Sequence, residues 1–176
     1  MPTTFPFAFW LTPERQAYTQ LESHIQTICQ QYGATPFSPH ITLFVGERQQ
    51  NEDMVGLGRQ LADAVPSIAM KLEKIDYSDF FFKTLFLQFS AHPSPTKLIQ
   101  IIQNGLQDYG DYQFDPHLSL VYAKIPSNTQ QSLAHSIQLD MDSILFNRLD
   151  LVIPNPETNA WADIAGWETQ QTWSLS

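Results

Sequence analysis

Two spacings of apolar residues run along the chain, and they predict five elements in its first half. Apolar residues at every second position are typical of a strand, and apolar residues three to four positions apart are typical of a helix. The predicted elements are a strand over 5–11, a helix over 13–32, a strand over 39–45, a helix opened by Asn51 and a strand over 68–72. Thr12 is the expected N-cap of the first helix, with Pro13 at its first position, and Gly33 is expected to end it.

The second half of the chain repeats this order. The predicted elements are a strand over 82–89, a helix opened by Ser94 and Pro95, a strand over 116–124, a helix capped by Ser127 and a strand over 144–152, with a last strand within 161–175. An offset of 77 residues pairs apolar and turn positions along both halves, including Phe9 with Phe86, Ile25 with Ile102 and Gly33 with Gly110. The sequence therefore predicts an α+β protein: a single domain over 1–176, made of two pseudo-repeated lobes of roughly 1–77 and 78–176.

One motif is repeated residue by residue within this frame. Its copies are Phe37-Ser38-Pro39-His40-Ile41-Thr42-Leu43 and Phe114-Asp115-Pro116-His117-Leu118-Ser119-Leu120, and they also lie 77 residues apart. Alternation places the histidine and the hydroxyl of each copy on one face of a strand, about 6.6 Å apart. Core packing gives no reason for a histidine and a hydroxyl to recur together, whereas a symmetric acid–base pair does. His40 and His117 are therefore the candidate catalytic residues.

Two imidazoles and two hydroxyls that face one another suit an in-line displacement at phosphorus. One neutral histidine takes a proton from water while the other, protonated, gives its proton to the departing oxygen. Thr42 and Ser119 are the expected phosphate-binding residues, because their hydroxyls can donate to the non-bridging oxygens. This chemistry requires no metal, and no cofactor is expected.

Two other kinds of site fit the same residues less well. Asp115 with the two histidines resembles a two-histidine, one-carboxylate metal site, but the first copy has Ser38 at the matching position. A nucleophilic Ser119 or Thr42 is disfavoured because the chain has no glycine elbow around either residue.

The composition limits the classes of protein to which the chain can belong. It has 176 residues, of which 43% are hydrophobic, which is enough for a core of its own, and we expect a monomer. A net charge of −9 argues against binding to long nucleic acid, which relies on a basic surface. The chain has no apolar run of about 18 residues and no secretory signal pattern, so we expect a cytoplasmic protein without a membrane partner. The single cysteine, Cys29, is expected to be a small buried side chain.

At the repeated motif the sequence resembles the two-histidine (2H) phosphoesterase superfamily, and its longer frames resemble the cyclic phosphodiesterase branch. The resemblance extends to Thr12-Pro13-Glu14, to Phe80-Phe81-Phe82 and to 160–165, so it covers nearly the whole chain. It implies a bilobal fold of two pseudo-symmetric antiparallel sheets with outer helices and a central cleft. It also implies metal-independent opening of a small cyclic phosphate on ribose. The substrates of that branch are ADP-ribose 1″,2″-cyclic phosphate and nucleoside 2′,3′-cyclic phosphates, which are opened to 2′-phosphates.

The resemblance also implies an aromatic side chain near the nucleoside. Tyr122 matches the tyrosine that follows the second motif, and Phe82 lies in the shared aromatic run, where it would stack on a base or pack in the core. The loop over 153–160 replaces a charged segment of the family. Three tryptophans, Trp161, Trp167 and Trp173, are expected to pack along a bent C-terminal strand, and His24, His92 and His135 fall outside the repeat.

Two further functions stay open at this point. The sister branch, the 2′-5′ RNA ligase-like enzymes, acts on RNA ends and usually carries a basic surface, which this acidic chain lacks. A non-catalytic protein that binds phosphorylated nucleotides could be built on the same fold, because fold alone does not determine function.

Overall fold

The computed structural model describes residues 4–106 and 112–176, and the predicted order of elements is present in them. The strands are β1 (Thr4–Pro13), β2 (Ile41–Gln49), β3 (Ile68–Tyr77), β4 (Leu85–Phe89), β5 (His117–Val121), β6 (Ser143–Ile153) and β7 (Glu168–Ser174). The helices are α1 (Arg15–Tyr32), α2 (Met54–Ala64), α3 (Pro93–Gly105) and α4 (Ser127–Ser136). The order strand, helix, strand, helix, strand occurs twice before β7, as the sequence predicts. Gly110, the expected counterpart of Gly33, lies outside the described residues.

The strands form one antiparallel sheet with the order β1-β2-β5-β4-β3-β6-β7, and β1 also pairs with β6. The α+β class is confirmed, but the two expected sheets are hydrogen-bonded to each other as one. Strand β6 joins them because it is long enough to pair with β3 through its first residues and with β1 and β7 through the rest. At the opposite side, β2 and β5 meet at a single pair, Ile41 and Leu118.

The meeting of β2 and β5 brings the two copies of the motif side by side. Residues opposite each other in an antiparallel pair carry their side chains on the same face. Since Ile41 lies opposite Leu118, Thr42 lies beside His117 and His40 lies beside Ser119. All four predicted side chains therefore emerge from one face of the sheet.

Each motif strand also contains a β-bulge at the equivalent position of the repeat. Phe9 and Trp10 pair with Phe44 and Thr42, so Leu43 is an extra residue on β2. Leu85 and Phe86 pair with Val121 and Ser119, so Leu120 is the extra residue on β5. These β-bulges lie 77 residues apart, like the motif itself. A bulge re-aims the side chains of a strand, and here it allows Thr42 and Val45, three positions apart, to face the same cleft.

The structure corrects the predicted starts of three elements. Ser127, the predicted cap of α4, is the first residue of that helix, which has no side-chain cap among the described residues. Thr12 is not the N-cap of α1: it lies on β1, is buried, and donates its hydroxyl hydrogen bond to Asp150. The cap is Glu14, whose carboxylate accepts hydrogen bonds from the backbone N–H groups of Gln16 and Ala17. The strand predicted from residue 82 begins at Leu85, because Phe81–Lys83 forms a short 3₁₀ turn.

The core lies between the sheet and the helices, with α1 packed on β5 and α4 on β3. Large aromatic side chains fill its centre: Phe7, Phe9, Phe44, Phe89 and Phe146. Cys29 is buried, as predicted, and burial raises the pKa of its thiol to about 11. Gly33 ends α1 with a left-handed backbone conformation (φ 62°), also as predicted. Within residues 4–106 and 112–176, none of the helices has the length and apolar character needed to cross a membrane.

Candidate active site

The face that carries the two motifs forms one wall of a cleft of about 330 Å³. Five of the six residues predicted for the site line this cleft: His40, Thr42, Phe82, His117 and Tyr122. The sixth residue, Ser119, does not line the cleft: it is only 4% exposed and is hydrogen-bonded to Phe82, which does. The two histidines, which are far apart in the sequence, therefore share one pocket.

Both histidines are held by the same backbone contact. The Nδ1 atom of His40 is 2.7 Å from the carbonyl oxygen of Ser38, and Nδ1 of His117 is 2.9 Å from that of Asp115. Each carbonyl belongs to the residue two positions earlier, so this contact also obeys the repeat. A carbonyl oxygen only accepts hydrogen bonds, so Nδ1 carries the proton in both rings. Nε2 is then the nitrogen of each imidazole that does not bind this carbonyl, and it is the atom that can exchange a proton with a ligand.

His40 is the more deeply buried of the two. It is 5% exposed and lies flat against the indole of Trp10, with Phe37 and Trp167 edge-on to it. Burial lowers the pKa of His40 to about 4, and the Ser38 carbonyl opposes this only in part. At neutral pH this imidazole is therefore uncharged.

His117 lies in a more polar environment. Its Nδ1 atom is 3.5 Å from a carboxylate oxygen of Asp115, in addition to the backbone contact. Burial lowers the pKa of His117 from its ordinary value, and the charge of Lys83 lowers it further. The carbonyl and the carboxylate of Asp115, together with a backbone hydrogen bond to Phe82, act to raise it. Of the two histidines, His117 is the one beside a negative charge.

The Asp115 carboxylate is itself fixed from the other side. Lys83 Nζ is 2.5 Å from Oδ2, and Gln88 Nε2 donates to Oδ1 at 3.0 Å. Burial would raise the pKa of Asp115, but these two hydrogen bonds and the nearby charges of Lys83 and His117 together keep the pKa below its ordinary value. Asp115 is therefore ionised at neutral pH, and Lys83 forms an ion pair with it.

The two hydroxyls differ in their surroundings. Ser119 donates its hydroxyl hydrogen bond to the backbone carbonyl of Phe82 at 2.9 Å. Thr42 lines the cleft, and none of the described residues forms a hydrogen bond with its hydroxyl. Thr42 is therefore the hydroxyl that can donate to a ligand without giving up a hydrogen bond to one of these residues.

Aromatic side chains make up much of the remaining wall. Tyr122 is buried against Phe37 at 4.2 Å between ring centroids, and burial raises the pKa of its phenol, so it is neutral. Phe82 meets Tyr122 edge-on, on the 3₁₀ turn rather than on a strand.

The sequence did not identify three tryptophans as part of the cleft: Trp10, Trp161 and Trp167. For the last two, the predicted position on a strand is wrong, because they lie on the segment between β6 and β7. The predicted packing is confirmed, since both pack against Trp10 and its buried neighbours as well as lining the cleft. For Trp173 the prediction is confirmed, since it packs on Phe9. No periodic pattern in the sequence distinguishes the tryptophans that line the cleft from Trp173, which does not.

The other histidines lie outside the cleft. His92 caps α3 by accepting the backbone N–H of Ser94, and His135 is exposed near the end of α4. Over the described ranges, 4–106 and 112–176, no three His, Cys, Asp or Glu side chains are grouped so that they could hold a metal ion.

The chain resembles known proteins over almost its whole length. Residues 5–172 match the family described as cyclic phosphodiesterase-like protein. A cyclic phosphodiesterase of Arabidopsis thaliana is 20% identical over 175 residues, which make up 97% of this chain and 95% of that protein. Escherichia coli LigT, solved in complex with 3′-AMP, has 14% identity and a TM-score of 0.64 over 99% of both chains. The protein TT0787 of Thermus thermophilus has 17% identity and a TM-score of 0.62 over 97% of both chains.

Proposed function

This chain belongs to the cyclic phosphodiesterase-like family and is a phosphodiesterase, and we propose that it opens a small cyclic phosphate on ribose by paired-histidine catalysis without a metal. The resemblance seen in the repeated motif is thereby confirmed at the level of the family. The proposed substrates are nucleoside 2′,3′-cyclic phosphates and ADP-ribose 1″,2″-cyclic phosphate. A nucleoside 2′,3′-cyclic phosphate would yield the 2′-phosphate.

The observation that carries this proposal is the equivalent fixing of two imidazoles in one cleft. Each Nδ1 atom is bound to the carbonyl two residues earlier, so Nε2 is the nitrogen of each ring that can exchange a proton. An in-line displacement needs a base on the side of the attacking water and an acid on the side of the leaving oxygen. Two histidines that share a pocket can supply both.

The two environments support a division of roles. His40 is uncharged because its surroundings are apolar, so it is the proposed base that takes a proton from water. His117 lies beside the Asp115 carboxylate, which favours the imidazolium form, so it is the proposed acid. The water oxygen forms a bond to phosphorus, the bond from phosphorus to the ribose O3′ breaks, and O3′ receives the proton of His117.

The hydroxyls are the proposed ligands of the non-bridging phosphate oxygens. Thr42 donates directly, and Ser119 donates once its hydrogen bond turns from the Phe82 carbonyl to the phosphate. Tyr122 and Phe82 are proposed to contact the nucleoside, because both line the cleft with aromatic surface. The complex of LigT with 3′-AMP, a mononucleotide, is in line with a ligand of this size in a related fold.

The test is hydrolysis of adenosine 2′,3′-cyclic phosphate by the purified protein in excess chelator. The expected product is the 2′-phosphate, identified by ³¹P NMR, and the rate should not depend on added divalent ions. His40→Ala and His117→Ala should each abolish most turnover, whereas His135→Ala, a matched change at an exposed helix position, should not. Activity that disappears in chelator and returns with a divalent ion would overturn the metal-independent mechanism. Tight binding without turnover by the wild type would favour a binding protein instead.

A further inference from the structure

Aromatic rings form a continuous arc along the cleft, with buried Tyr122 at its middle and exposed Phe80 at one end. Successive ring centroids are 6.3 Å apart from Trp161 to Trp167, 5.7 Å from Trp167 to Tyr122, 5.6 Å from Tyr122 to Phe82 and 6.1 Å from Phe82 to Phe80. We call these five side chains the aromatic arc. Its last ring, Phe80, is 65% exposed, which is unusual for a large apolar side chain that is not covered by a partner. Val45, another exposed apolar residue, lies on the same cleft.

The charge of the cleft is the opposite of what a polyphosphate needs. Among the described residues that line it, no lysine or arginine occurs, and the one permanently charged side chain is Asp115. Lys83 contacts one lining residue, Asp115, but it is bound to that carboxylate and to Gln88, and it lies over the ring of Phe86. Residues 1–3 and 107–111, which the structure does not describe, contain no lysine or arginine in the sequence.

We propose that the cleft selects substrates whose only charged group is the reacting cyclic phosphate, and that it discriminates against those that carry a pyrophosphate. This inference rests on the proposed function and specifies its substrate class. Nucleoside 2′,3′-cyclic phosphates, with the base against the outer part of the aromatic arc, are the preferred substrates. ADP-ribose 1″,2″-cyclic phosphate, whose pyrophosphate adds two negative charges, is the poor one.

The physical reason is that a nucleobase and a pyrophosphate bind well to different kinds of protein surface. A nucleobase gains from stacking on aromatic rings whatever its identity. A pyrophosphate must give up part of its hydration in the cleft, and this loss is recovered only when cations or donors replace the water. Here it would meet apolar side chains, the Asp115 carboxylate and a protein with a net charge of −9. The cleft, about 330 Å³, is also at the small end of the usual range for ligand sites.

The first experiment compares kcat/KM for adenosine 2′,3′-cyclic phosphate and ADP-ribose 1″,2″-cyclic phosphate at low ionic strength. A preference of about 10-fold or more for the nucleoside substrate is expected, and it should narrow as salt screens the repulsion. Equal or faster turnover of the ADP-ribose substrate would overturn this inference and leave the proposed function standing. If neither substrate is opened, the proposed function fails, and this inference fails with it.

A matched pair of variants tests whether the substrate preference arises from the charge of the cleft or from the net charge of the protein. Val45→Lys adds a cation at the cleft, and Val55→Lys adds the same cation on α2, outside the cleft; the two valines are similarly exposed, at 41% and 47%. Val45→Lys should shift the ratio of kcat/KM values toward the ADP-ribose substrate by about 3-fold or more at low salt, by the attraction of one charge. Val55→Lys should not change the ratio. Equal shifts in both variants would mean that net charge, and not the cleft, sets the preference.

The role of Phe80 is tested by a split between KM and kcat. Phe80→Ala should raise KM for adenosine 2′,3′-cyclic phosphate by about 5-fold, the lower end for loss of one stacked base, while kcat changes little. Phe80→Trp should restore the KM. An unchanged KM in Phe80→Ala would remove this ring from substrate recognition.

Discussion

The imidazole of His40 lies face to face with the indole of Trp10, with 3.6 Å between the ring centroids and 9° between the planes. The contact follows from the pairing of β1 with β2, in which Trp10 lies opposite Thr42. It fixes the orientation of the ring and removes water from one of its faces. The same contact that positions His40 therefore contributes to the burial that keeps it uncharged.

Replacing Trp10 should change the acidity of His40 as well as the rate. In Trp10→Ala, water reaches the imidazole, so the pKa of His40 should rise from about 4 toward its ordinary value, and turnover should fall. Trp10→Phe, which keeps an aromatic face, should retain a lower pKa and more activity. Histidine titration followed by NMR in the folded variants provides the measurement. An unchanged His40 pKa in Trp10→Ala would show that the indole does not set its charge state.

The rate should depend on pH as a bell that belongs to the coupled pair of histidines. His40 must be uncharged and His117 protonated, and the pKa of each is lowered by burial, so the optimum should lie on the acidic side of neutrality. The residual activity of His40→Ala should lack the acidic limb, and that of His117→Ala the basic limb. The two losses should be far from additive, because the residues act as one unit. The opposite loss of limbs would exchange the two roles.

Stability should also depend on the protonation of His40. In the unfolded chain this residue binds a proton near its ordinary pKa of 6.5, and in the folded protein only near 4. Between these values the unfolded state holds more protons, so the free energy of unfolding falls as the pH falls through this window. The loss from His40 is up to about 3 kcal/mol. Urea unfolding at pH 7 and pH 4.5 measures it, and the difference should shrink in His40→Gln but not in His135→Gln.

The residues of the repeated motif could be predicted from sequence because both their chemistry and their frame are local. The pattern of one strand places His117 and Ser119 on one face, and the repeat supplies their partners His40 and Thr42. Contacts made between strands follow from no single strand. In the sequence, Trp10 is one aromatic residue among several in an apolar strand. Only the pairing of β1 with β2 brings it into contact with His40.

Local sequence patterns gave wrong predictions where a contact with a residue distant in the sequence determines the structure. A threonine before a proline is a common start of a helix. Thr12 nevertheless belongs to β1, because Asp150 on β6, which is 138 residues away in the sequence, accepts its hydroxyl hydrogen bond in a buried position. Trp161 and Trp167 lie on the segment before β7, and only the folded chain shows that they turn toward the cleft.

The two hydroxyls should contribute unequally. Thr42→Ala should lower kcat about 100-fold, the scale of one lost oxyanion donor, and Thr42→Ser should keep most of the activity. Ser119→Ala should cost less, because the Ser119 hydroxyl already donates to the Phe82 carbonyl and must leave it to reach a phosphate. Steady-state kinetics of the three variants, with circular dichroism as the control for folding, decides between these outcomes. A Thr42→Ala enzyme with the wild-type rate would make this hydroxyl structural.

The Asp115 carboxylate should set the basic limb of the pH profile. Asp115→Asn removes the negative charge beside His117 and leaves the charge of Lys83 unpaired, and both changes lower the pKa of His117. The proposed acid would then lose its proton at lower pH, so the basic limb should move to lower pH while the acidic limb stays in place.

Two further variants separate this effect from a general loss of charge. Asp115→Glu restores the carboxylate and should return the basic limb toward its wild-type position. Asp140→Asn removes the carboxylate of an exposed residue that does not line the cleft, and it should leave both limbs unchanged. A basic limb that stays in place in Asp115→Asn, or moves to higher pH, would show that Asp115 does not hold the proton on His117. Movement in Asp115→Asn alone would identify Asp115, which Lys83 and Gln88 hold in place, as the residue that keeps the proton on the proposed acid His117.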